Sequence, residues 1–443
     1  MNQIPLFSSS PLIRYWGQLV VPDLSRTILQ EFLREEGDAT LVEVVLAYSP
    51  EDTTFLLSHI LDKFHERYVN IENTLFNHGK KALDWSCYLE SHNTSAEATL
   101  RYEDISRNSI ILLGAYSTRE YATEAAALTN PSIVKHPDQE DLEAGQVRTL
   151  LSLRAVGEGH LSSIAFLEVV LDEVAGAIVS QRPSPQILGE VSADNEVNKE
   201  SSSYTVVFPS DSKVSQRILY PESYAERRGM EDARFVEIAK ADGGREYRAT
   251  YTAYDGEKIF PRLIVSNDLL EFKVYDLLGP ASVNKGMALF PQKINGKWMA
   301  LTRGDGYRSS VAESVDGIYW DNAKPLSGAQ EPWNLAIAGN AGSPHLTDEG
   351  WLVITHGVGP LRTYSLGAML LNRDNPRDVV GTLRGALLTP SKEESIGYVP
   401  NVVYSCGSLI VGENLWLPYG ASDRSVSLAS VNIAELIEEI LKK

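Results

Sequence analysis

Five copies of one short pattern constrain this chain more than any other feature. In each copy a few apolar or β-branched residues run into a polar or charged tip and a glycine, as in YRATYTAYDG from Tyr247 to Gly256. The others are RTLLSLRAVGEG from Arg148, WMALTRGDG from Trp298, WLVITHGVG from Trp351 and LWLPYGASD from Leu415. A second strand-like run follows each within a few residues: SSIAF from Ser162, PRLIVSND from Pro261, SSVAESVDG from Ser309, YSLGAMLLN from Tyr364 and SVSLASVN from Ser425. A recurring unit of this size is a supersecondary module that buries its faces only against its neighbours. Five modules therefore predict five blades around one axis.

The remaining chain divides around that array. Residues 1–125 read as a mostly helical extension, residues 126–431 as the propeller, and residues 432–443 as a terminal helix. In the extension, Ser49-Pro50-Glu51-Asp52 supplies a cap, a first-position proline and acids against the helix dipole. Phe55, Leu56, Ile60, Leu61, Phe64 and Tyr68 follow at three- and four-residue spacing, the signature of one buried helix face. Helices are also expected over Asp23 to Glu36 and Glu97 to Leu113. From Asn130 onward the texture changes to short β-rich runs punctuated by Gly, Pro, Asn and Asp. The polar, Ser-rich stretch between Gln181 and Ser215 reads as a long loop or an excursion from the first blade. Asn432 with Glu435 opens NIAELIEEILKK like a capping box.

Composition excludes several function classes. Forty Lys and Arg against 59 Asp and Glu give a formal charge of −19, a surface that repels phosphate backbones, so no nucleic-acid partner is expected. The two cysteines, Cys87 and Cys406, lie in separate elements and provide neither a disulfide framework nor a zinc site, and no metal is expected. No secretory leader or membrane span is read in the sequence, which points to a cytoplasmic protein without a membrane partner.

In a propeller, equivalent strand ends converge on one channel although they are far apart in sequence. The repeat tips carry Arg154, Glu158 and His160, then Tyr254 and Asp255, Arg303 and Asp305, His356, and finally Tyr419 and Asp423. Arginines, carboxylates and a histidine around a funnel suit a polar ligand, anions included. Asp255, Asp305 and Glu158 also suit turns, whereas no turn requires Arg303, His356 or Asp423. Just before the second repeat, Glu231 and Asp232 form an acidic pair between Arg228 and Arg234. Neighbours on a strand face opposite ways, so one acid of the pair is expected in the channel, as a general acid if its surroundings raise its pKa. His345, in a GSPH turn, is read as either structural or substrate-facing.

These residues carry a resemblance. Gly229-Met230-Glu231-Asp232-Ala233-Arg234 followed by YTAYDG resembles the signature of glycoside hydrolase family 130, the β-mannoside phosphorylases and β-mannosidases built on a five-bladed propeller. Asn130-Pro131-Ser132, SLRAVGEG, NKGMALFPQKINGKW, GWLVITHGV with Tyr364 after it, ESIGYVPNVVY and PYGASD occur in the family's order. The resemblance runs from about Asn130 to Val431 and leaves the first 125 residues outside it.

The resemblance implies a mainly β fold and cleavage of a terminal β-mannosyl residue with inversion. It makes Asp232 the catalytic acid. Asn130, Asp423 and His356 match positions that hold the mannose ring, and Glu231, Arg234 and Tyr254 join them as substrate-binding residues. Arg154, Lys285, Arg303, Tyr364 and Glu394 match the neighbourhood where phosphorylases hold phosphate. Inorganic phosphate is then a co-substrate and no other cofactor is implied. Phosphate needs one acid and a cationic pocket, in which arginine grips oxygens bidentately. Water as nucleophile would need a second carboxylate at about 6.5–9.5 Å, a part open to Glu394 or Glu393. Gly286 replaces a polar residue common in the family, which counts against phosphate. The alternatives at this stage are an inverting β-mannosidase and a non-catalytic glycan-binding propeller, with the extension packing on the propeller or making homo-oligomer contacts.

Overall fold

Five sheets follow one another along the chain, and each repeat supplies a central strand to one of them. The computed structural model describes residues 8–32, 38–68, 70–93, 105–193, 203–240, 243–328 and 330–442. Blade 1 runs Ala127–Lys135, Gln146–Val156, Ser162–Asp172 and Arg217–Leu219 in spatial order. Blade 2 runs Met230–Ala239, Arg245–Tyr254, Ile259–Ser266 and Glu271–Asp276. Blade 3 is Ala288–Leu289, Trp298–Thr302, Ser310–Ser314 and Asp321–Pro325; blade 4 is Ile337–Asn340, Trp351–Val358, Tyr364–Leu371 and Val379–Thr382. Blade 5 is Val403–Tyr404, Asn414–Ala421, Ser425–Asn432 and, last, Arg14–Val20.

The hydrophobic core is five seams rather than one centre. Phe166 of blade 1 packs with Phe235 and Tyr251 of blade 2, Leu263 of blade 2 with Leu289 and Ala300 of blade 3, and Leu301 of blade 3 with Trp351 of blade 4. Leu366 of blade 4 meets Leu417 of blade 5, and Leu428 of blade 5 meets Leu151 and Leu153 of blade 1. Each face is thus buried against the next blade, and the ring closes.

The repeats occupy the second strand of each sheet, not the innermost. The innermost strand precedes each repeat, and bonds between these strands tie the hub together. Asn130 bonds Asp232; the Phe235 amide donates to Ser132 Oγ at 3.0 Å. Arg234 donates to the Ala341 carbonyl at 2.9 Å, Asn340 Nδ2 to the Gly286 carbonyl at 2.8 Å, and the Cys406 amide to the Pro131 carbonyl at 2.7 Å. The period of the sequence pattern is legible at the second strand because that strand is largely buried in every blade and runs into a turn; the inner strands range from ten residues in Met230–Ala239 to two in Ala288–Leu289 and do not repeat one pattern.

The helical extension expected over 1–125 requires correction. Residues Met1–Leu24 belong to the propeller unit, and Ser25–Ala122 form a separate unit. Arg14–Val20 pairs antiparallel with Ser425–Asn432, so the chain's start closes the last blade. Trp16 stacks on Trp416 with ring centroids 5.1 Å apart and donates from Nε1 to Ser430 Oγ at 2.9 Å. The strand is short and half exposed, with no helical periodicity to report it. Trp16→Ala is expected to cost the propeller about 2 kcal/mol, less than for a fully buried tryptophan, read as a lower denaturant midpoint.

Within the second unit, Thr27–Glu31 is a strand paired with Thr118–Ala122, inside the span Asp23 to Glu36 where a helix is expected; residues 33–37 lie outside the described residues. The helices are Asp38–Leu46, Pro50–Phe64, Ile71–Asn93 and Arg107–Tyr116. Ser49 caps the second through the Asp52 amide at 3.1 Å, as expected. Its buried face runs through Leu57, whereas Phe55 is exposed. The helix read over Glu97 to Leu113 begins at Arg107, and 94–104 lie outside the described residues. Gly79 and Gly114 let the last two helices touch: a Cβ on either would fall about 2 Å or less from a carbonyl oxygen of the other helix.

The Ser-rich stretch is also more ordered than a loop at its ends. Glu190–Ala193 and Tyr204–Val207 extend blade 2 outward, and residues 194–202 lie outside the described residues. The terminal helix spans Ile433–Leu441 with Asn432 as its cap, and buries Leu436, Ile437 and Ile440 on the blade 4–5 seam.

Candidate functional site

Three of the polar residues at the hub sit in a backbone conformation that side chains other than glycine avoid. Asn130, Asp232 and Asp423 have φ of +49°, +56° and +51°. Asn130 and Asp232 each stand where the register of an inner strand slips against its neighbour, between Thr129 and Ser132 and between Glu231 and Arg234. A bulge of this kind re-aims side chains. The expectation that only one acid of the Glu231–Asp232 pair enters the channel is thereby corrected. Both face Arg154, whose Nη2 donates to Glu231 Oε1 at 2.8 Å and whose Nη1 lies 3.7 Å from Asp232 Oδ1.

Around this pair the hub collects charge. Asn130 Nδ2 donates to Asp232 Oδ1 at 2.5 Å, and Lys285 Nζ to Glu231 Oε2 at 2.5 Å. Arg154 is held from behind by Ser162 Oγ at 2.9 Å. Thr129 Oγ1 donates to Asp423 Oδ1 at 3.1 Å. Burial pushes the Asp232 carboxyl up, but Arg154, Arg234, Lys285 and the Asn130 hydrogen bond together hold it below the usual carboxylate range. Asp423 moves the other way: burial and the Asp232 charge outweigh Arg154, Thr129 and Arg362, and its pKa is raised.

Arg303 stands apart from the other cations. Among the described residues no carboxylate pairs with it, its Nε is buried without a hydrogen-bond partner, and its Nη1 meets His356 Nε2 at 2.9 Å. His356 Nδ1 lies 2.9 Å from the Asn340 carbonyl, which can only accept, so Nδ1 carries the proton and Nε2 accepts from Arg303. Burial and the Arg303 charge push the His356 pKa down to about 3, so the ring is neutral at physiological pH. Both ring nitrogens are occupied within the protein. The expected sugar ligand is, in this geometry, the residue that aims Arg303.

The other expected site residues are distributed as follows. Arg234 is 1% exposed and directs three of its five N–H groups to the Ala341 carbonyl, the Asp232 carbonyl at 2.7 Å and the Tyr404 hydroxyl at 2.8 Å, so it braces the Asp232 bulge. Tyr364 stacks parallel to His356 at 6.4 Å. Glu394 accepts from the Tyr419 hydroxyl at 2.6 Å and from the Ser391 amide at 3.0 Å. The Tyr254 hydroxyl turns back to the Gly256 carbonyl at 2.8 Å, away from the cluster. Asp255 and Asp305 accept backbone amides of their own turns. His345 is bonded to Ser408 Oγ at 2.8 Å, and burial lowers its pKa to about 4.

Two residues in the cluster carry no mark in the sequence. Tyr404 joins Arg234 to the rings of His356 and Tyr364, at 5.0 Å and 6.3 Å. Asn340 fixes the His356 tautomer and anchors the Gly286 turn. Tyr404 lies in a motif quoted for the resemblance, but an aromatic in a strand reads as core. Asn340 belongs to an inner strand too short to show a period. Among the described residues no group of three or more His, Cys, Asp or Glu is placed to hold a metal ion.

The family model described as β-1,4-mannooligosaccharide phosphorylase matches residues 194–442, more than half of the chain. The chain belongs to glycoside hydrolase family 130. A curated relative, the 1,2-β-oligomannan phosphorylase of Thermoanaerobacter sp. (strain X514), is 32% identical over 232 residues, covering 51% of this chain and 75% of that protein. The β-1,2-mannobiose phosphorylase of Listeria innocua is 29% identical over 232 residues, 50% of this chain and 63% of that one. Its solved structure with β-1,2-mannobiose shares the fold, with a TM-score of 0.52 at 19% identity over 71% of this chain and 92% of that one. The family match starts after the first three strands of blade 1, so Asn130 and Arg154 enter the site by geometry rather than by the matched segment.

Proposed function

We infer that this family 130 enzyme cleaves β-mannosidic bonds with inversion by phosphorolysis, releasing α-mannose 1-phosphate. The observation that carries phosphate over water is Arg303, a guanidinium aimed by a neutral histidine and lacking an anionic partner among the described residues. A hydrolase needs a free second carboxylate for its water. Glu394, one of the two residues open to that part, is held by the Tyr419 hydroxyl on one oxygen and the Ser391 amide on the other.

In this reading a phosphate oxygen forms the bond to the anomeric carbon from the α face as the bond to the glycosidic oxygen breaks. Asp232 supplies the leaving oxygen with a proton, directly or through a sugar hydroxyl. The proton that hydrogen phosphate gives up restores the acid, so no further base or cofactor is called for. Arg303 and Lys285 hold phosphate, with Tyr364 beside them, and Asn130 and Asp423 hold the mannose ring. No helix among the described residues is long and apolar enough to cross a membrane; a cytoplasmic location, where phosphate is abundant, belongs to the same proposal.

The family model carries a β-1,4 description and the relatives carry β-1,2 names, so both linkages enter the test. The protein is incubated with β-1,2- and β-1,4-mannobiose, with and without phosphate. Mannose 1-phosphate formed only in the tubes with phosphate is the expected outcome. Free mannose at equal rates in both sets would establish the hydrolase.

A further inference from the structure

A second charged centre lies in blade 2, wholly buried and unused by the chemistry above. Glu226 and Arg262 are both fully buried and pair at 2.7 Å. Glu226 also accepts from the Tyr204 hydroxyl at 3.0 Å, from the Tyr251 hydroxyl, and from the amides of Glu222 and Ser223 at 3.0 Å each. Arg262 reaches Ser223 Oγ at 2.9 Å and Asp276 at 2.9 Å. A buried ion pair adds little stability over an apolar replacement of the same shape. What it can supply is one enforced geometry, because any displaced arrangement strands a charge in the core.

The geometry it enforces leads to the acid. The Glu226 carbonyl accepts from the Gly229 amide at 2.6 Å, and the Gly229 carbonyl from the Tyr254 amide at 3.0 Å. Gly229 has φ +130° and lies so close to Ser162 that a Cβ would fall 2.8 Å from the Ser162 amide. The two residues form a parallel bridge, and Ser162 Oγ is the partner of Arg154 Nε. The strap from Glu222 to Gly229 therefore sets both the entry of the Glu231–Asp232 bulge and the seat of the arginine facing it.

We propose that Glu226, locked by Arg262, Tyr204 and Tyr251, is the positioning residue for Asp232, acting through the Gly229–Ser162 bridge. The proposal rests on the assignment of Asp232 as acid. A misplacement of about 1 Å costs on the order of 10²-fold in rate, and a misplaced acid hurts only leaving groups that need a proton.

The test compares β-mannobiose with 2,4-dinitrophenyl β-mannoside, whose phenolate leaves unprotonated, both with saturating phosphate. Glu226→Gln is expected to lower kcat on mannobiose by about 10–100-fold and on the dinitrophenyl mannoside by less than about threefold. Glu226→Asp is expected to lie between it and wild type. Should Glu226→Gln fail to fold, Tyr251→Phe removes one donor and keeps the ion pair; a selective loss of about 3–10-fold is expected. Equal loss on both substrates, or none, overturns the proposal. Asp232→Asn on the same substrates separates the two claims: selective loss there with unselective loss at Glu226 sinks the positioning role alone, and unselective loss at Asp232 sinks the acid assignment.

Discussion

Asp232→Asn is expected to lower kcat for phosphorolysis of a β-mannobiose by about 10²–10⁴-fold, the usual worth of a general acid, with little change in melting temperature. Asparagine keeps the acceptor that Asn130 bonds, so the hub retains its shape and the loss reports chemistry. A glycan-binding propeller would keep its affinity and show no turnover to lose. Asp423→Asn supplies the comparison. The free site raises the Asp423 pKa and lowers that of Asp232, an order that by itself would nominate Asp423 as the proton donor. Lys285, one of the cations that depress Asp232, is assigned to phosphate, and a bound dianion offsets the cationic field around the acid. A general acid loses activity as pH rises through its pKa. The basic limb of the rate profile is therefore expected at higher pH with saturating phosphate than with limiting phosphate. A limb that stays put, or a larger leaving-group effect in Asp423→Asn than in Asp232→Asn, would transfer the acid role to Asp423.

How much of this was legible beforehand divides by physical cause. The ring was, because each second strand is largely buried and followed by a turn, so five seams leave five copies of one pattern. The closing strand Arg14–Val20 was not: it is seven residues, half exposed, and its partner lies at the other end of the chain. Asn130, Arg154, Asp232, Lys285 and Asp423 came from ordered motifs, and Arg303 from the tip of a repeat. The geometry of the cluster did not, since period-two alternation places Glu231 and Asp232 on opposite faces. The left-handed Asp232 and the register slip beside it bring both acids to Arg154. Arg234 and His356 read as ligand contacts because charge in a channel motif suggests a ligand. In the fold Arg234 donates to the Asp232 carbonyl and His356 accepts from Arg303.

Arg303→Gln is expected to raise the KM for phosphate by about 10–100-fold, the equivalent of one charge-assisted hydrogen-bonding group worth about 1.5–3 kcal/mol. The KM for mannobiose is expected to stay within about threefold, since the sugar is assigned to the Asn130 and Asp423 side of the hub. The effect should exceed that of Lys285→Gln. The Lys285 ammonium already spends itself on Glu231 at 2.5 Å and must be drawn off before it serves phosphate, whereas Arg303 has no carboxylate to leave among the described residues. Arg303→Lys should recover only part of the loss, because an ammonium keeps the charge but not the planar fork that spans two phosphate oxygens and still reaches His356. Initial rates against phosphate concentration at fixed mannobiose measure all three. A phosphate KM that is unmoved in Arg303→Gln, with the sugar KM raised instead, would place the anion elsewhere on the hub and give Arg303 to the mannose.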